Sequence, residues 1–78
     1  MFSPNEQRVI DTLGKRKVKV KELAMELYDI SKMPNASNII ISAVTRINKK
    51  CNEDPKIKWI IRYSGLGRSG KTIWRDKK

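Results

Sequence analysis

Hydrophobic and polar residues recur along this chain with two different periods, and the changes of period mark its elements. Val9, Ile10 and Leu13 lie at the spacing of one helix face. Ser3-Pro4-Asn5-Glu6 stands in front of them. It reads as a capping box with proline at the first helical position, and Gly14 reads as the stop. These signals predict a helix over 4–13. Val18 and Val20 then alternate with Lys17, Lys19 and Lys21, the period of a short strand or extended link. From Glu22 to Tyr28 the helical period returns, with Leu23 and Leu27 one turn apart.

Ser31, Pro34 and Asn35 break the pattern. A third helix is predicted over 36–51, with Asn35 as its cap. Ala36, Ile40, Val44, Ile47 and Cys51 form one stripe at ~100° per residue. Asn38, Ser42, Thr45, Arg46 and Lys49 occupy the opposite side, which carries no carboxylate. After the turn Asn52-Glu53-Asp54-Pro55, residues 56–63 alternate as a strand. Ile57, Trp59, Ile61 and Tyr63 share one face; Lys58, Ile60 and Arg62 share the other. A glycine-rich tip over 64–70 leads to a returning strand at Lys71-Thr72-Ile73-Trp74, and 75–78 is expected to fray.

The order helix, short strand, helix, turn, helix, hairpin is that of an α+β winged helix-turn-helix: a three-helix core with a C-terminal β-hairpin wing. Trp59 and Trp74 are expected to cap the core from the hairpin. A chain of 78 residues has room for one such domain, spanning 1–78.

Charge directs attention to a partner. Eighteen Lys/Arg against eight Asp/Glu give a net charge of +10 and a pI near 10.1. Residues 56–78 hold eight of those cations and one carboxylate. A small, strongly basic chain is suited to a polyanion. No apolar run reaches the ~18 residues of a membrane span, and no secretory signal is visible, so a cytoplasmic protein with no membrane contact is expected. A nucleoid-associated protein, or one of viral or mobile-element origin acting in a host cell, fits that place. Histidine is absent and there is a single cysteine, Cys51. The usual general base, the usual metal ligand and an internal disulfide are therefore missing. No catalysis, metal or cofactor is expected, and Cys51 reads as a small apolar residue in the core.

One motif points elsewhere. Gly65 to Thr72 fits G-x-x-x-x-G-K-[ST], the phosphate-binding loop, and Gly65, Gly67 and Gly70 fit G-x-G-x-x-G. Such a loop works through the N-terminus of a helix that follows it. Only Ile73 to Lys78 follow here, so the segment reads better as a hairpin tip able to approach a sugar-phosphate backbone.

The candidate contacts follow from this layout. In the third helix, Arg46 suits guanine and Asn38 suits adenine. Ser42 and Thr45 are small enough to let the helix sit deep, and Lys49 suits a phosphate. In the wing, Arg62, Arg68, Lys71 and Arg75 are placed for the backbone or the minor groove. Lys17, Lys19 and Lys21 are candidates for further backbone contacts.

The stretch from Val44 to Pro55, then Trp59-Ile60-Ile61 and Gly65-Leu66-Gly67, resembles the DNA-binding output domain of OmpR/PhoB-type response regulators. The opening Phe2-Ser3-Pro4-Asn5-Glu6 with Val9 to Leu13 is similar to that family's first helix. The resemblance implies double-stranded DNA as partner, and Arg46 as a base- or phosphate-contacting residue with Thr45 beside it. Asn48 departs from the family, which often has an arginine there, and Ser64 replaces a wing arginine. These 78 residues leave no room for the family's N-terminal sheet or receiver domain, so regulation by phosphorelay is not expected. The expectation is a small transcriptional regulator that reads duplex DNA, with homodimeric or tandem binding and contact with RNA polymerase left open. The alternative is an interaction module for RNA or an acidic protein.

Overall fold

The computed structural model describes residues 2–29, 31–65, 67 and 70–78. It is an α+β arrangement of three helices and a three-stranded antiparallel sheet, in the order α1 (Pro4–Leu13), β1 (Val18–Lys19), α2 (Val20–Leu27), α3 (Ala36–Glu53), β2 (Trp59–Ser64) and β3 (Thr72–Lys77). The strands lie in the order β1-β3-β2. No helix among the described residues is long and apolar enough to cross a membrane.

The capping box forms as expected. The Ser3 hydroxyl accepts the Glu6 N–H, and Glu6 Oε1 accepts the Ser3 N–H, each at 3.2 Å. Gly14 ends α1 at φ +56° and ψ −133°, a conformation that a side chain would strain, and its N–H reaches the Ile10 carbonyl.

α2 begins two residues earlier than its side-chain pattern suggests. The Val20 N–H is taken by the Lys71 carbonyl at 2.8 Å, so the strand pairing itself seeds the helix. Asn35 is not the side-chain cap expected for α3. Its φ of −98° and ψ of 20° are neither extended nor helical, and its carbonyl accepts the N–H groups of Asn38 and Ile39.

The core gathers Val9, Ile10 and Leu13 of α1, Leu23 and Ala24 of α2, and the Ala36–Ile40–Val44–Ile47–Cys51 stripe of α3. From the sheet, Val18, Ile61 and Ile73 close it. The two tryptophans expected there are not fully buried. Ile73 pairs with Val18 on one side and Tyr63 on the other, so it takes the inward phase of β3. Trp74, one residue on, must face the uncovered side of the sheet, where Lys17 Nζ lies 4.3 Å from its ring centroid. Trp59 packs half-buried at the rim, 5.9 Å from Phe2 between ring centroids.

β3 also runs past Trp74. Arg75, Asp76 and Lys77 pair with Ile61, Ile60 and Trp59, and the Lys78 N–H reaches the Lys58 carbonyl. Side chains hold this extension: the Arg75 guanidinium stacks over Trp59, and Arg62 bonds Asp76 and the Lys77 carbonyl across the strands. The Lys78 ammonium donates to the Cys51 and Asp54 carbonyls at the C-terminus of α3, where a cation meets the negative end of the helix dipole.

Candidate nucleic-acid interface

α3 is held by its inner stripe, so its outer side is free to present whatever the sequence supplies. Asn38, Ser42, Thr45, Arg46 and Lys49 are all exposed. Asn38, Ser42 and Arg46 line one shallow depression. Thr45 instead borders a groove of about 110 Å³ between α3 and the hairpin, with Tyr63 and Lys71 on the opposite rim and Ile41 and Val44 inside.

Lys71 is the hairpin cation that approaches α3. Its Nζ lies 4.5 Å from the centroid of Tyr63, a ring that is 59% exposed. Tyr63 belongs to the same strand face as Ile61, but it sits one step beyond the helices that cover Ile61. Strand alternation alone does not disclose this exposure. Its position next to Ser64-Gly65, where the hairpin leaves the helical layer, is the available signal.

The other expected wing residues separate. Arg62 lies on the uncovered sheet face, 3.0 Å from Asp76. Arg75 lies toward the base of the hairpin over Trp59, near Lys15. Arg68 lies outside the described residues. Of the second basic run, Lys19 and Lys21 border a depression with Met25 and Gly70, beside the hairpin tip. Lys17 is engaged with Trp74. The residues brought together around α3 are therefore Asn38, Ser42, Thr45, Arg46 and Lys49 with Lys71 and Tyr63. Arg62 and Arg75 stand apart from them.

Two residues beneath this surface organise it. Glu6 is only 3% exposed. Its Oε1 accepts Lys50 Nζ at 2.6 Å, and its Oε2 accepts Arg46 Nε at 3.4 Å. The Lys50 hydrogen bond outweighs the cost of burial, and the Ser3 N–H adds to it. The carboxyl is held down at about 2. Asn48 takes both free main-chain groups of Ile61: its Nδ2 donates to the carbonyl and its Oδ1 accepts the N–H, each at 2.9 Å. Sequence reasoning assigned Glu6 to the capping box alone and treated Asn48 as a departure from a family pattern. For Glu6, the signal was the pair Arg46 and Lys50, two cations one turn apart along an edge of α3.

The glycine-rich loop leads into β3 and not into a helix. The array of N–H groups at a helix start, on which a phosphate loop depends, does not follow Lys71-Thr72. Gly65 has a different role. Its φ is +103°, and a Cβ there would stand 2.8 Å from the Gly70 carbonyl oxygen, so the two arms of the tip close only around glycine. Burial pushes the Cys51 thiol up, the direction of an inert core residue.

Compared with models of protein families, with curated proteins and with solved structures, the chain finds no match.

Proposed function

We propose that the chain is a winged helix-turn-helix protein that binds duplex DNA in a sequence-dependent way and acts as a small transcriptional regulator. In this reading α3 enters the major groove, and the β2–β3 hairpin is the wing that lies on the flanking backbone. The observation that carries it is the outer side of α3. Five exposed donor-bearing side chains, Asn38, Ser42, Thr45, Arg46 and Lys49, succeed one another there with no carboxylate between them, Glu53 coming only at the helix end, in a chain of net charge +10. A face that merely met solvent would mix signs as the rest of the surface does: Glu22 and Glu26 on α2 stand beside Lys21, for example.

Roles follow from position. Asn38, Ser42 and Arg46 share one depression and meet base edges. Thr45 faces the groove toward the wing. Lys49, Lys71, Lys19 and Lys21 meet phosphates. Arg62 and Arg75 add charge away from the reading face. One helix reads few base pairs, so two copies on adjacent half-sites accompany the reading.

Binding to a fixed duplex, titrated across salt, tests it. With roughly five to eight phosphate contacts, affinity falls ~10²–10⁴-fold between 50 and 200 mM salt. A flat salt dependence contradicts the reading.

A further inference from the structure

Arg46 does not hang freely from α3. Its Nε is turned toward Glu6 Oε2, while its side chain remains 54% exposed. Among the described residues, its Nη1 and Nη2 have no hydrogen-bond partner. A guanidinium held at Nε presents its far edge, the pair Nη1 and Nη2, in one direction. That edge is the fork that matches O6 and N7 of guanine.

The anchor is itself fixed. Glu6 is buried, its Oε1 is occupied by Lys50 and the Ser3 N–H, and its backbone N–H is tied to the Ser3 hydroxyl. Its second oxygen therefore has little freedom in where it receives Arg46. An unanchored arginine has many rotamers to lose on binding, which weakens any contact it makes.

We infer that Glu6 is a positioning residue for base recognition: its carboxylate orients Arg46 in the free protein so that the Nη1/Nη2 edge faces guanine in the major groove. This rests on the DNA-reading role of α3, and it adds a residue of α1 to the machinery of specificity. Lys50 supports the anchor at its other oxygen, so its removal loosens the carboxylate without removing the Arg46 contact.

The test measures affinity for a selected duplex and for a scrambled one, using Glu6→Gln, Lys50→Met and Arg46→Ala, each checked for folding by circular dichroism. Arg46→Ala lowers the ratio of the two affinities ~10–100-fold. Glu6→Gln lowers it about 5-fold or more, while affinity for the scrambled duplex stays level or rises with the lost negative charge. Lys50→Met lowers the ratio less than Glu6→Gln does, because the Ser3 N–H still holds the carboxylate. If Arg46→Ala collapses the ratio and Glu6→Gln leaves it intact, Arg46 reads without its anchor and the inference fails alone. A ratio untouched by Arg46→Ala removes the DNA-reading role of α3 as well. Equal losses on both duplexes in Glu6→Gln overturn the positioning role in favour of a purely structural one. Should Glu6→Gln not fold, ¹⁵N relaxation of the Arg46 Nε–H in the unaltered protein decides. A rigid group supports the inference, and one as mobile as a solvent-exposed arginine overturns it.

Discussion

The side-chain amide of Asn48 does for Ile61 what a neighbouring strand would do. β2 is an edge strand, and at Ile61 both main-chain groups point away from β3. Asn48 satisfies both, at 2.9 Å each, from the middle of α3. The contact locks the helix to the hairpin and covers part of an edge that would otherwise invite pairing with another chain.

Replacing Asn48 by Ala leaves an N–H and a carbonyl half-buried without partners. The expected loss is about 1.5–3 kcal/mol, seen as a fall in Tm of roughly 10 °C. Asn48→Asp rescues little, because a carboxylate accepts the Ile61 N–H but repels its carbonyl. Thermal unfolding of the two variants checks this.

Glu6 gives stability a defined acid limb. Its carboxyl sits at about 2 in the folded chain, below the ordinary value of 4.5. A depressed carboxyl contributes stability that is fully present above the unfolded value and is lost as pH falls toward the folded one. The difference in unfolding free energy between the unaltered protein and Glu6→Gln should therefore be constant above about pH 5 and shrink between about pH 4.5 and 2. Its size is of the order of 2 kcal/mol once the partial exposure of Lys50 is allowed for. Denaturant titrations at a series of pH values measure it.

How far the chain could be read from its sequence depended on distance. α1 and its capping box were legible because Ser3 and Glu6 are three residues apart and carry their own geometry. The inner stripe of α3 was legible for the same reason, since periodicity is local. Glu6 with Arg46 and Lys50 spans 40 and 44 residues, and Asn48 with Ile61 spans 13, and no local rule pairs them. Trp74 was misplaced because hydrophobic size was weighed above strand phase, whereas Trp59 shares the phase of Ile61 and packs half-buried against the core. The phase of β3 is set by Ile73 between Val18 and Tyr63, which only the sheet register reveals.

The hairpin tip depends on Gly65. Gly65→Ala places a Cβ against the Gly70 carbonyl at positive φ, so the turn must reopen. A loss of about 1–3 kcal/mol is expected, with weaker DNA binding as Lys71 is displaced. Calorimetry and a binding titration check the two effects.

Cys51 should be shielded by burial. Its thiol is fully buried and pushed up from its usual range, so a disulfide reagent at pH 8 reacts only through opening of the fold. The rate should rise in Asn48→Ala by about tenfold for each 1.4 kcal/mol of stability lost. Fast reaction in the unaltered protein at low temperature would contradict the placement of Cys51.

The central claim is that α3 reads base sequence, and selection from random duplex DNA at near-physiological salt, with structured RNA as competitor, tests it most directly. The account predicts an enriched motif, repeated at about one helical turn where two copies bind, and loss of preference at one guanine position in Arg46→Ala. Binding without enrichment, or capture of the protein by the RNA, would contradict it.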